Sequence, residues 1–240
     1  MKDDIYNKTS SSKGSFKFNA EVANVFEDMI KRSVPGYELA LEMIGVIAQY
    51  TLKNKDAPVA IDLGCSLGAS MDAILSHSTA QVIGVDNSLD MLKKASTNLE
   101  AKFKGRFQLH HEDITTYQFP QQSHFIILNF TLQFIPLELR NELLEKCFNS
   151  LAPNGVLLIS EKILIQDSTT NTYLRSLHHE FKKHNGYSAK EIMNKRDAIE
   201  NVLVPETTET HLHRLESAGF ENPTCWYQCF NFASFIAAKS

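Results

Sequence analysis

One loop holds the residues whose types and spacing say most about chemistry. In Ala60-Ile61-Asp62-Leu63-Gly64-Cys65-Ser66-Leu67-Gly68 an apolar run ends in a turn of small residues, and a helical pattern follows. In an open parallel sheet, ligands bind beyond the carboxyl ends of the strands, so such a turn is the place to look for a site. Three chemistries compete for it. A nucleotide-phosphate loop would need G-x-G-x-x-G or G-x-x-x-x-G-K-[ST], and neither is present. Gly64 to Gly68 does read G-x-S-x-G, the nucleophile elbow of α/β-hydrolases with Ser66 as nucleophile. The elbow strand belongs inside an already built sheet, however, whereas helical or polar sequence precedes Val59, and no HGGG-type oxyanion segment occurs. The third chemistry is S-adenosylmethionine binding. Asp62 closes the first apolar run, the turn lets the backbone approach a ligand, and Asp86 ends the second run in IGVDNS. A carboxylate there can accept from both hydroxyls of a ribose. Asp113-Ile114 suits an adenine amine with an apolar side chain against the base, and Asn129 ends a fourth run. A single strand-end Asp is more often a helix cap or turn former. Four polar tips converging on one crevice are far more specific than any one of them.

The elements that must position these tips follow from periodicity. VAIDLG (59–64), QVIGVD (81–86), RFQLHHED (106–113), HFIILNF (124–130) and GVLLISE (155–161) are short apolar or β-branched runs. Helical patterns separate them at Met71 to His77, at Leu89 to Phe103 after an Asn87 or Ser88 cap, and at Leu137 to Leu151 after Pro136. Alternation of this kind predicts a parallel sheet covered on both faces. Before it, apolar positions three and four apart predict helices over Glu21 to Ser33 and about Glu38 to Leu52, broken by SVPGY. Pro153-Asn154-Gly155 reads as a turn. The alternation stops from about 165 to 204, where a polar helical insertion is expected, and TCWYQCF and FASFIAA close the chain as an antiparallel pair. Residues 1–20 read as a flexible segment ahead of one domain over 21–240.

Composition narrows the function classes. The 240 residues carry 24 Lys and Arg against 28 Asp and Glu, a net charge of −4, which argues against a uniformly basic coat for nucleic acid. With 43% hydrophobic and 22% charged residues the chain is neither disordered nor fibrous. MKDDIYNKTSSSKG lacks the apolar core of a secretory signal, and runs such as FIILNF fall short of the roughly 20 residues of a membrane span. Four scattered cysteines point to a soluble protein of a reducing, cytoplasmic compartment.

Taken together, VFEDMIKRSVPGY, IDLGCSLGA, IGVDNS, LNFTLQFIP, PNGVLLISEKI, HHEFKKHNGYS, KRDAIENV, ETHLHRLESAGF and WYQCFNF resemble the carboxy-S-adenosyl-L-methionine synthases, within the class I methyltransferases. That resemblance implies a Rossmann-like α/β fold with a mostly parallel seven-stranded sheet, an antiparallel last strand, helices on both faces and a helical insertion before the last two strands. It implies that Tyr37, Gly64, Cys65, Ser66, Asp86, Asn87, Asp113, Ile114 and Asn129 line the cofactor site, and that Arg196 reaches the ligand's carboxylate from the other subunit of a homodimer. It also implies conversion of S-adenosyl-L-methionine and prephenate into carboxy-S-adenosyl-L-methionine and phenylpyruvate, the product feeding uridine-5-oxyacetic acid at the tRNA wobble position. Tyr37 and Arg196 are then the candidate catalytic residues, no metal is needed, and nucleic acid and membrane are not partners. An ordinary S-adenosylmethionine-dependent methyltransferase acting on a small molecule or RNA is the alternative enzyme, and a cofactor-binding scaffold the non-enzyme one. Arg196 separates the chemistries: a guanidinium beside a sulfonium is repulsive unless a carboxylate lies between them.

Other features carry less. His179 to His184 is one residue too long for a zinc-protease helix. His211 and His213 are expected at solvated positions, and Cys225 and Cys229 on one face of a strand. The thiol of Cys65 should matter less than its backbone, and Lys182, Lys183 and His184 read as a solvated basic face that an acidic substrate could also use.

Overall fold

The computed structural model describes residues 2–3, 5, 18–199 and 202–240. Two helices open the fold, α1 (Ala20–Ser33) and α2 (Tyr37–Leu52). Strands and helices then alternate as β1 (Val59–Leu63), α3 (Ala69–His77), β2 (Gln81–Asp86), α4 (Leu89–Phe103), β3 (Phe107–His111), β4 (Ser123–Asn129), a 3-10 turn at Leu132–Phe134, α5 (Leu137–Ser150) and β5 (Leu151–Leu164). The insertion is α6 (Ser168–His184) and α7 (Ala189–Ile199), and the chain ends with β6 (Glu206–Thr207), α8 (Thr208–Ser217), β7 (Glu221–Cys229) and β8 (Phe232–Ala238).

The sheet runs in the order β3-β2-β1-β4-β5-β8-β7, and the two-residue β6 pairs with β5 off that path. Strands β1 to β5 are parallel, while β8 runs antiparallel to both β5 and β7. Successive residues of a strand point to opposite faces, and both faces here are apolar. Ile61, Leu63, Ile126 and Leu128 pack with Leu144 and Phe235 on one side, and Ala60, Phe125 and Ile127 with Ile44, Met71 and Leu75 on the other. Strand order reverses between β1 and β4, so the crevice opens beyond their carboxyl ends, where the polar tips lie. Helix starts are fixed by side chains: Asn19 accepts from Val22 N–H, Ser88 from Met91 N–H and Asp167 from Thr170 N–H.

Four details differ from the sequence reading. Pro153-Asn154-Gly155 is not a turn ahead of a strand but lies within β5, where the register against β4 shifts between Ser123 and Phe125 and Asn154 takes φ 59. A second bulge, at Trp226, pairs Cys225 with Phe235 but Tyr227 with Ser234, so Cys225 and Cys229 face opposite sides of the sheet. His211 is buried rather than solvated: it shares the inner stripe of α8 with Leu215 at i+4, and its ring stacks on Phe235 at 5.1 Å. Within the N-terminal segment, residues 6–17 lie outside the described residues, whereas Asp3 is buried, accepting from the Tyr187 hydroxyl at 2.5 Å and pairing with Lys195 at 3.7 Å.

Candidate active site

The turn after β1 is built on β2. Gly64 N–H and Cys65 N–H both donate to Val85 O, at 2.8 and 3.1 Å, which folds the loop back over the next strand. Gly64 has φ 79, and a Cβ there would stand 2.5 Å from the Thr131 side chain, so glycine is required on two counts. Ser66, at φ 49, aims its N–H at Asp86 Oδ2 (2.8 Å), and Asp86 Oδ1 accepts from Ser88 N–H (2.8 Å). One carboxylate thus ties the first strand tip to the second while keeping lone pairs for a ligand. The Ser66 hydroxyl donates to the Met91 sulfur at 3.5 Å rather than to a histidine, which removes the elbow reading.

The remaining tips complete the crevice. Asp113 accepts from Thr115 N–H and its hydroxyl on a single oxygen, at 2.8 and 2.7 Å, and stays exposed beside the buried Ile114. Asn129 donates to Ser70 at 3.1 Å, while its own Oδ1 is buried with no partner. Tyr37, at the start of α2, is buried with its ring 6.2 Å from that of Phe130. All ten residues expected at the site, Arg196 on α7 among them, line one cavity of about 1210 Å³. That exceeds the roughly 300–1,000 Å³ of a typical small-molecule pocket and leaves room for two ligands.

The comparisons with known proteins agree with this geometry. Residues 60–155 match a family model described as a methyltransferase domain. A carboxy-S-adenosyl-L-methionine synthase of Hahella chejuensis is 45% identical, over 99% of this chain and 98% of its own length. Its counterpart in Shewanella amazonensis is 44% identical, over 100% and 99%. The chain belongs to the carboxy-S-adenosyl-L-methionine synthase family. Among solved structures, human N-acetylserotonin methyltransferase in complex with SAM superposes with a TM-score of 0.61 at 15% identity, over 92% of this chain and 55% of that one. An S-adenosyl-L-methionine-dependent methyltransferase of Methanococcus maripaludis gives 0.62 at 19% identity, over 96% and 98%. Both likenesses show the fold.

The site of this synthase-family chain is electrostatically divided. At the strand tips, burial and then the charge of Asp86 push the Asp62 carboxyl up to about 8, and its Oδ2 is buried without a partner. Asp62 lies behind the loop, whose Cys65 thiol burial also pushes up, away from the thiolate a nucleophile needs. A carboxyl raised in the fold keeps its proton at pH values where the unfolded chain has lost it. Folding then takes up a proton, so this contribution to stability falls as pH rises from about 4 to about 8. Asp62→Asn removes it. Urea unfolding will show the variant gaining stability relative to the parent between about pH 5 and about pH 7.5, and an unchanged difference would refute the titration.

A second part of the cavity lining is cationic, and of its residues the sequence reading offers only Lys182 and Arg196. Lys162 near the end of β5 and Arg175, His178, His179 and Lys182 on α6 line it, together with Lys195 and Arg196 of α7. Lys183 and His184 are exposed as expected, with Lys183 paired to Glu180 at 2.6 Å. Lys182 instead turns inward. Burial and then Lys162 hold its ammonium down to about 8, and burial with Lys182 takes His178 down to about 2. The early signal was the density of basic residues in RSLHHEFKKH, where a helical period of 3.6 places positions 175, 178, 179 and 182 on one stripe. Arg196 bonds to Asp197 at 2.7 Å and sits half-exposed at the rim of the cavity of its own chain. Among the described residues no cluster of His, Cys, Asp or Glu is arranged to hold a metal ion.

Proposed function

We propose that this protein makes carboxy-S-adenosyl-L-methionine and phenylpyruvate from S-adenosyl-L-methionine and prephenate. The observation that carries this is one cavity lined both by the carboxylate tips of the strands and by a group of neighbouring cations from β5, α6 and α7. The residues fit the nucleoside substrate. Asp86 faces the ribose, Asp113 and Ile114 take the adenine, the orphaned Asn129 Oδ1 and the Gly64–Ser66 backbone meet the amino-acid portion, and Asn87 lies at the mouth. The bound sulfonium supplies an acidified methyl group. Prephenate breaks its ring-carboxylate bond, and that electron pair aromatises the ring and expels hydroxide. Hydroxide takes the methyl proton to give water, and a carbon–carbon bond joins the methyl carbon to the released carbon dioxide, so atoms and charge balance. The chain's part is to hold both substrates together and keep water out. Tyr37, Phe130 and Phe232, with ring centroids 6.2 and 6.1 Å apart in sequence, supply an aromatic wall.

Arg196 favours this reading over simple methyl transfer, because a guanidinium gains a bidentate partner only once a carboxylate stands beside the sulfur. The resemblance supports a cytoplasmic homodimer that supplies a carboxymethyl donor for uridine-5-oxyacetic acid at the tRNA wobble position, without itself touching RNA. No helix among the described residues is long and apolar enough to cross a membrane. Incubation with S-adenosyl-L-methionine and prephenate, followed by mass spectrometry of the nucleoside, will show a product heavier by one carboxyl group. Unchanged nucleoside, or methyl transfer to an added acceptor instead, would refute the reading.

A further inference from the structure

Lys162, Arg175 and Lys182 meet in the cavity from two elements, a strand and the helix inserted after it. Among the described residues none of the three makes an ion pair, although the chain carries 28 acidic residues that could have supplied partners. Each instead has another cation as its charged neighbour: Arg175 faces Lys162, and Lys162 faces Lys182. His179 between them feels Lys182, Arg175, Arg196 and Lys162, and no carboxylate enters the balance at His178 or His179. Arg140 and Arg214, by contrast, are paired with Glu206, and Arg32 with Asp28. Lys162 and Lys182 are half-buried and Arg175 is exposed beside them; like charges gathered without counter-charges weaken a fold, and an anion between them would relieve the repulsion.

We propose that Lys162, Arg175 and Lys182 form a subsite for the carboxylates of a dianionic second substrate. Arg196, a neighbour of this group, links it to the sulfonium end, so the two substrates meet head to head. The neutral imidazoles of His178 and His179 complete the lining; His178 is fixed by its ring nitrogen 2.7 Å from Ser33 O. The inference rests on the reading of prephenate as that substrate, and it assigns residues of the insertion to binding it.

The test uses Lys182→Gln, Lys182→Arg and the double variant Lys162→Gln/Lys182→Gln, with S-adenosyl-L-methionine affinity by calorimetry and steady-state kinetics in prephenate. Lys182→Gln should raise KM for prephenate about tenfold and the double variant more, with S-adenosyl-L-methionine Kd within about twofold of the parent and Lys182→Arg close to the parent. A KM within about twofold of the parent in Lys182→Gln, or equal losses for both substrates, overturns the proposal. If the double variant fails to fold, Lys182→Gln decides alone. If the parent protein makes no carboxylated product, the functional reading fails separately. The subsite is then judged by calorimetric binding of malonate to the protein saturated with S-adenosyl-L-methionine: binding lost in Lys182→Gln supports it, and equal or absent binding in the parent overturns it.

Discussion

Asp86→Asn will weaken S-adenosyl-L-methionine binding by about a hundredfold while lowering the melting temperature little. Both Asp86 oxygens already accept backbone N–H groups, Ser66 on one and Ser88 on the other, each at 2.8 Å. An amide has one accepting oxygen, so its NH2 must confront either Ser66 N–H or Ser88 N–H and its remaining lone pair cannot serve two ribose hydroxyls. Hydrogen bonds to a charged group contribute about 1.5–3 kcal/mol each, and about 1.4 kcal/mol is tenfold in affinity, so loss of one ligand bond and distortion of the loop reach two orders of magnitude. Stability responds differently. Burial raises the Asp86 carboxyl against the pull of its two N–H donors, so the charge is held at a cost that the amide does not carry. Calorimetry and thermal melts on one preparation check both halves; equal loss of affinity and stability would make Asp86 a loop former only.

Arg196→Ala will reduce formation of carboxylated product by about a hundredfold or more, with S-adenosyl-L-methionine affinity changed by less than about threefold, since truncating one partner of a hydrogen-bonded charge pair costs about 2–5 kcal/mol. The asymmetry is the point: the guanidinium has a carboxylate to hold only in the product and in the state that leads to it. Equal losses in both would contradict that role. Mixing Arg196→Ala with Asp86→Asn subunits then locates the arginine. If it reaches across a dimer, mixed dimers hold one intact site and recover about a quarter of parental activity; if it serves its own chain, none returns.

Much of this site was legible because strand tips are local. Gly64 to Gly68, Asp86, Asp113 and Asn129 each end a short apolar run, and a parallel sheet with a switch point brings such ends together whatever the details of packing. The misreadings needed information that periodicity lacks. Cys225 and Cys229 obey a period of two until a single extra residue at Trp226 reverses it. His211 looked polar, yet the stripe that α8 buries is set by what lies opposite, here Phe235. Lys182 shares its sequence neighbourhood with the exposed Lys183 and His184, and only the packing of α6 over the cavity separates them. Cationic lining of this kind is long-range: Lys162 and Lys182 come from β5 and α6, and no local pattern joins them.

The sheet order also governs how the molecule can be made. β8, the last strand of the chain, is an interior strand, bonded to β5 on one side and β7 on the other. Until Phe232–Ala238 has left the ribosome, the outer edge of β5 stays open and β7 has no neighbour to pair with. The half of the fold that carries the strand tips can be assembled early, but the sheet is sealed only once Phe232–Ala238 is made. A chain that stops before Phe232 would therefore be an adhesive polypeptide rather than a slightly weaker enzyme, a product for proteolysis more than for catalysis.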